Sequence, residues 1–280
     1  MPDLALRPRS GRSAKALLLT ILGEFTARSD RGIWTSTVVD ALACFDINER
    51  NARQAVARLA DQGLLDAVRH GRRTRWNLTD AAMKLLVSGT ERIYGFGETS
   101  AAWDGQWLVV LASVPEDQRA KRHQLRSQLE FFGLGFVGPG IAVSPHVERE
   151  AAVQSVLREI GLEETAIVFL ARTGTFVPDQ ELIRRAWDLD TLGQRYQRFI
   201  EAFETRLAQS DPDRFVALVE LVHEWRRFPF GDPEIPDELL PSTWPGHAAK
   251  QLFDACHATW SLRATAWFGA TEAGSNAASA

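Results

Sequence analysis

The chain alternates between stretches where apolar residues recur with helical spacing and short unbroken apolar runs of strand length. From Glu49 to Asp61, Ala52, Ala55, Val56 and Leu59 fall at i, i+3, i+4 and i+7, one narrow apolar stripe on a helix of about four turns. Arg50 and Gln54 then point the opposite way, Arg53 and Arg58 flank them, and Asn51 lies at the margin. Asp46 and Glu49 have capping-box spacing, Asn48 is a second candidate N-cap, and Gly63 is a C-terminal stop. Upstream, Leu17, Leu18, Ile21, Leu22 and Phe25 pattern a first helix over Ala14 to Ala27. Downstream, Leu64 to Val68 and Thr74 to Leu78 read as two strands around His70, Gly71 and Arg72, with Arg69, Arg72, Arg73 and Arg75 clustered at the turn.

Helix, turn, helix and basic hairpin, in that order between Trp34 and Thr79, predict a winged helix-turn-helix. Guanidinium and amide groups on the outward helix face can reach phosphates and the edges of guanine or adenine in a major groove. The hairpin arginines suit the phosphate backbone or minor groove beside it. The candidate DNA-binding residues are therefore Arg50, Asn51, Arg53, Gln54, Arg58, Arg69, Arg72, Arg73 and Arg75. A net charge of −4 speaks against nucleic acid only while it is treated as uniform. Residues 1–80 hold 13 basic and 9 acidic residues, and the remaining 200 hold 19 and 27, so positive charge is concentrated on the head. The basic leader MPDLALRPRSGRSAK is expected to be mobile and able to add phosphate contacts.

Beyond the hairpin, Thr79 to Gly95 reads as a connecting helix. Trp107 to Ser113 is a buried strand, Glu116 to Phe132 an amphipathic helix, and Phe136–Val137 and Ile141–Ser144 flank a Gly-Pro-Gly turn. Val147 to Ile160 is helical and Ala166 to Ala171 a strand, which completes the β-α-β-β-α-β order of a ferredoxin-like sandwich. From Ala186 onward the pattern is helical, with helices over Leu189–Gln209, Asp213–Phe228 and Gly246–Trp267 and a proline-rich connection expected to be ordered. The expected fold is α+β and multidomain: a winged helix-turn-helix domain over 1–85, a connecting helix and linker over 86–102, a ferredoxin-like domain over 103–182 and a helical domain over 183–280.

Composition narrows the function. With 45% hydrophobic and 24% charged residues, the chain is that of a globular protein. It has no apolar run of the roughly 20 residues that span a bilayer and no secretory h-region, so no membrane partner and a cytoplasmic location are expected. Cys44 and Cys256 are expected to be structural thiols. Gly133, Gly135 and Gly138 spell G-x-G-x-x-G, but the motif follows a helix and leads to a strand, the reverse of a dinucleotide fingerprint, so it predicts a turn. His146, His223, His247 and His257 lack zinc-site spacing, and Asp188/Asp190 and Asp211/Asp213 are explained by helix capping. No catalytic residue, metal site or resident cofactor is expected.

Three stretches carry a family resemblance: ERNARQAVARLADQGLL with HGRRTRWNLT in the head, WDGQWLVVLASVPE with GLGFVGPGIAVSP in the centre, and HEWRRFPFGDPEIPDELLPSTWPGHAAKQLF near the end. Over nearly its whole length the chain resembles the PaaX family, the repressor family of the phenylacetic acid degradation operon. The resemblance implies a homodimeric transcription factor that binds double-stranded operator DNA and releases it when an aromatic acyl-CoA, typified by phenylacetyl-CoA, binds the body. An effector lying between the ferredoxin-like and helical units would set its acyl group among Trp187, Tyr196, Phe199 and Trp244, with Arg226 or Arg227 on phosphates or a carboxylate. The central stretch also resembles a CRISPR-associated nuclease fold. Where those nucleases carry a metal-binding aspartate at the end of the first strand, this chain has Ser113, with Glu116 and Asp117 expected only at the following helix start.

Overall fold

A computed structural model describes residues 13–27, 32–98 and 102–277. The first twelve residues of the basic leader lie outside the described residues. The described residues form two compact units that are not consecutive in sequence: those up to 96, those over 199–229 and those from 248 onward make the first, and those within 97–198 and 230–247 make the second.

The first unit begins with α1 (Ala14–Ile21), whose N-cap Ser13 accepts a hydrogen bond from the Ala16 amide at 3.2 Å. The helix continues into a π-helical turn over Leu22–Thr26, where an unbroken α-helix was expected. Strand β1 (Ile33–Trp34), which the apolar pattern does not announce, leads directly into α2 (Thr35–Ala43) and then α3 (Glu49–Asp61). Strands β2 (Leu65–His70) and β3 (Arg73–Leu78) form the hairpin, and β1 pairs antiparallel with β3 to give the order β1-β3-β2. Helix α4 (Asp80–Gly95) is capped by the Thr79 hydroxyl, which accepts from the Ala82 amide at 3.1 Å. It buries Ala82, Leu85 and Leu86, and the first unit extends through it to Phe96.

The second unit carries β4 (Trp107–Leu111), α5 (Arg119–Phe131), β5 (Gly135–Gly138), β6 (Ile141–Ser144), α6 (Glu150–Ile160) and β7 (Ile167–Ala171). Its sheet is antiparallel throughout, in the order β5-β6-β4-β7. Strand alternation divides the two faces. Leu108, Val110 and Ala142 meet Leu125 and Leu129 of α5 and Val153, Val156 and Leu157 of α6. On the opposite face Trp107 and Val143 meet Ile183, Ile235 and Leu239. Ile183 belongs to α7 (Asp179–Ala186), a helix not foreseen from sequence, and the last two to the proline-rich connection. Gly133 (φ 75°) ends α5, and Gly135 and Gly138 bound β5, so the G-x-G-x-x-G motif is a turn and strand.

Helix α8 (Leu189–Phe203) starts behind Asp188, whose carboxylate accepts from the Thr191 amide and hydroxyl at 2.9 and 2.7 Å. Helix α9 (Asp211–Trp225) starts with a reciprocal capping box between Ser210 and Asp213. It buries Phe215, Ala217, Leu218, Val219, Leu221, Val222 and Trp225, so it is apolar on nearly every face. The last helix, α10 (Gly246–Ala277), is longer than its apolar period suggests. Of the C-terminal segment, residues 199–229 and those from 248 onward group with the first unit, and 183–198 with 230–247 group with the second. Within the first unit Phe25 packs on Phe215 and Phe268, and Thr20 Oγ1 lies 3.1 Å from His223 Nδ1 in the interior, so the first helix shares its core with the last two. Among the described residues, no helix is long and apolar enough to cross a membrane.

Candidate nucleic-acid interface

Helix α3 is built as its periodicity predicts. Ala52, Ala55, Val56 and Leu59 are at most 2% exposed, while Arg50, Asn51, Arg53, Gln54 and Arg58 are all exposed. Asn48 alone supplies the N-cap, its Oδ1 accepting from the Asn51 amide at 2.9 Å. The alternative box through Asp46 is corrected, because Asp46 takes a left-handed conformation (φ 59°) in the turn before the helix. Asparagine at the cap holds no charge that would repel an approaching phosphate. At the far end Gln62 caps the helix and Gly63 follows at φ 68°. Arg53 is tethered to Glu49 at 2.7 Å in an exposed i, i+4 pair, whereas Arg50 and Arg58 have no hydrogen-bond or ion-pair partner among the described residues.

The hairpin divides its four arginines into two kinds. Arg69 and Arg72 are exposed and without a partner among the described residues, on either side of Gly71 (φ 61°). Arg73 and Arg75 are half-buried and turn toward the Trp34 ring. Their two-residue spacing puts both on one face of β3, and β1 places Trp34 directly opposite Arg75. The guanidinium carbons lie 4.7 and 5.4 Å from the Trp34 ring centroid. Arg73 also donates to Ser36 Oγ at 3.0 Å. Arg75 donates twice to the Gly32 carbonyl, at 3.0 and 3.2 Å, and stands 3.6 Å from Glu272 of α10. Trp76, on the opposite face of β3, donates from its indole to Thr35 Oγ1 at 2.9 Å. Trp34, buried beneath both arginines, is the residue that sequence reasoning missed.

The candidate effector residues are divided between the two units. Tyr196 and Trp244 meet edge to face at 5.8 Å in the second unit, and the buried Tyr196 hydroxyl donates to Asp232 Oδ2 at 2.5 Å. Burial, followed by the adjacent carboxylate, raises the Tyr196 pKa and keeps the hydroxyl a donor. Burial also raises the pKa of Asp232, against the lowering effect of that hydrogen bond. Trp187 stacks 6.3 Å from Trp107 and lies so close over Gly135 that a β-carbon there would come within 2.5 Å of its ring. Phe199 lies in the other unit, packed on Phe203, Trp225 and Phe228.

Arg226 is 8% exposed at the end of α9, with a buried Nε that has no hydrogen-bond partner among the described residues. Burial, with Arg227 beside it, lowers its pKa to about 10, so it remains charged at neutral pH. Arg227 pairs with Glu224 at 3.1 Å. The proline-rich connection of the second unit is held from within that unit. That role falls to Arg149, which donates to Glu234 and the Phe132 carbonyl at 2.8 Å each, and to Tyr196 through Asp232.

Among the described residues no cluster of three or more His, Cys, Asp or Glu could hold a metal ion. Ser113 is exposed past the end of β4, and Glu116 and Asp117 occupy a turn before α5 instead of its first helical positions. Cys44 and Cys256 are free, and burial raises both thiol pKa values.

Comparison with known proteins adds independent findings. Residues 13–82 match the model of PaaX-like proteins, 100–183 that of the PaaX protein central Cas2-like domain and 187–270 that of the PaaX-like C-terminal domain. The transcriptional repressor PaaX of Escherichia coli is 30% identical over 251 residues, covering 86% of this chain and 78% of that protein. The uncharacterized protein Rv0674 from Mycobacterium tuberculosis has the same fold, with a TM-score of 0.63 at 22% identity over 92% of this chain and 98% of that one.

Proposed function

The chain belongs to the PaaX family, whose E. coli member is a transcriptional repressor, and from that premise we propose that it represses transcription by binding operator DNA through a winged helix-turn-helix. The observation that carries this reading is the pairing of two outward surfaces: the Arg50, Gln54 and Arg58 face of α3 and the partner-free Arg69 and Arg72 of the hairpin. Apolar packing does not require guanidinium groups on both. In this reading α3 enters the major groove, where Arg50 and Gln54 meet base edges, and Arg69 and Arg72 meet flanking phosphates. Arg73 and Arg75 hold the hairpin against Trp34 so that its tip arrives in register. The second unit, with strand order 4-1-3-2, fits a ferredoxin-like sandwich.

A homodimer would place two α3 helices in half-sites separated by one or more helical turns. Release would follow binding of an aromatic acyl-CoA, which must favour the non-binding conformation by about 1–3 kcal/mol of coupling, and DNA must weaken effector binding by the same factor. Fluorescence anisotropy on a labelled fragment of the gene's own upstream region, at two salt concentrations, with and without phenylacetyl-CoA and free phenylacetate, tests both parts. Specific binding reversed by the thioester alone is the expected result. Absence of specific binding refutes the repressor assignment, and binding indifferent to the thioester refutes the effector.

A further inference from the structure

The second unit contains a cleft of about 980 Å³ that none of the roles above uses. One wall is α5, which turns Arg119, Arg122, His123 and Arg126 toward it; these fall at i, i+3, i+4 and i+7 and so share one helix face. The facing wall is Phe136 with the Gly138–Gly140 turn. Glu116 also lines the cleft, leaving three arginines against one carboxylate.

Two of the three guanidinium groups are held in place. Arg126 lies 4.6 Å over the Phe136 ring and is tied to Glu130 at 2.8 Å, and Arg122 donates to the Val114 carbonyl at 3.2 Å, a bond that leaves its charge uncompensated. Arg119 has no partner among the described residues. It opens α5, whose first turn contains no acidic residue and whose N-cap, Gln118, makes no side-chain capping bond, so the positive end of the helix dipole adds to the same field. The turn opposite is fixed by Gly140 at φ 73°, where a β-carbon would come within 2.7 Å of the Ala112 carbonyl oxygen.

We propose that this cleft binds the diphosphate of a nucleotide, with Arg119 and Arg122 on the phosphates and the Phe136–Gly140 wall against the nucleoside. Arg119 and Arg122 stand about 4.5 Å apart along the helix axis, close enough to meet two adjoining phosphates together. The volume falls in the range of small-molecule pockets and far exceeds an inorganic anion. A concave wall of this size also favours a small ligand over the broad surface of a duplex. The same chemistry occurs in a free nucleoside diphosphate and in the nucleotide end of a CoA thioester; the second source rests on the acyl-CoA reading above, the first does not.

Isothermal titration calorimetry of the full chain with ADP, coenzyme A and phenylacetyl-CoA tests the site, alongside Arg119→Ala and the double variant Arg119→Ala/Arg122→Ala, each checked by circular dichroism. Arg119 is exposed and has no hydrogen-bond or ion-pair partner among the described residues, so its variant should fold normally. Each arginine removed should weaken nucleotide binding about tenfold. Binding of coenzyme A and its thioester, weakened in both variants, supports the site and the acyl-CoA source. Binding of ADP alone, weakened in the variants, supports the site while removing the acyl-CoA reading. Thioester binding that both variants leave unchanged overturns the site and leaves that reading intact. No nucleotide binding, or variants that lose only operator affinity, overturns the proposal, the latter by assigning the face to DNA.

Discussion

Changing Arg69 and Arg72 together to alanine gives the sharpest test of the interface, because the structure separates these two arginines from their neighbours on the same hairpin. Neither has a partner among the described residues, so their removal should leave thermal stability within about 0.5 kcal/mol of the parent. If each neutralises one phosphate, its loss makes the slope of log affinity against log salt shallower by about 0.9, or about 1.8 per bound head. Over a fourfold rise in salt, from 50 to 200 mM, the affinity ratio of parent to variant should then contract about tenfold. Anisotropy titrations on operator and on scrambled duplex at four salt concentrations give this slope directly. Operator and scrambled duplex should lose affinity alike, because phosphate contacts carry no sequence information. An unchanged slope with a folded protein would refute the wing assignment; a loss confined to the operator would move these arginines from phosphates to bases.

The other expectations are of different kinds. Arg75→Ala should lower stability by about 1–3 kcal/mol in urea unfolding while barely altering the salt slope of the remaining protein, since it strips the donors from the Gly32 carbonyl and a cation from Trp34. Arg50→Ala and Gln54→Ala should each reduce operator affinity by about 1–3 kcal/mol and relax preference at one base position, read by titrating single-base operator variants. Asn48→Ala should cost about 1 kcal/mol of stability through loss of the α3 cap, and Asn48→Gly only a few tenths, measured by thermal melting. Tyr196→Phe removes a donor from buried Asp232 and should cost about 1–3 kcal/mol at pH 7. The pKa of Asp232 is already raised by burial and rises further without that donor, so the folded variant binds more protons than the parent. The penalty should therefore shrink as pH falls through the raised pKa and the carboxyl becomes neutral. A penalty that grows on acidification contradicts this account.

Local order could be read from the chain wherever one period governed one element. The stripe Ala52, Ala55, Val56, Leu59 determined both the buried and the outward face of α3, and the alternation of short apolar runs with turns located all four strands of the second unit to within two residues. What could not be read was which surface each element meets. Arg69, Arg72, Arg73 and Arg75 look equivalent in sequence; only the two-residue β1, pairing Trp34 with Arg75, divides them into outward and inward groups. A two-residue strand leaves no periodic trace. The same limit explains the units: the pattern of α9 shows that it is buried, but an apolar helix face carries no label naming its partner, so its union with α1 was invisible.

That union bears on how the protein can be regulated. The chain passes between the two units four times, at residues 96/97, 198/199, 229/230 and 247/248, instead of running through a head and then a body. Helices α9 and α10 belong to the unit that carries α3, and Glu272 of α10 approaches Arg75 beneath the hairpin. A ligand that shifts the conformation of α10 therefore has a direct physical route to the hairpin through the Glu272, Arg75 and Trp34 contacts, with no independent head to be carried as a rigid passenger. Replacing Glu272 with glutamine keeps its size and removes its charge. If this route carries coupling, Glu272→Gln should change the ratio of DNA affinities with and without effector more than it changes either DNA affinity without effector or stability, because coupling is a difference between states. Equal shifts in both affinities would make Glu272 a stabilising residue only.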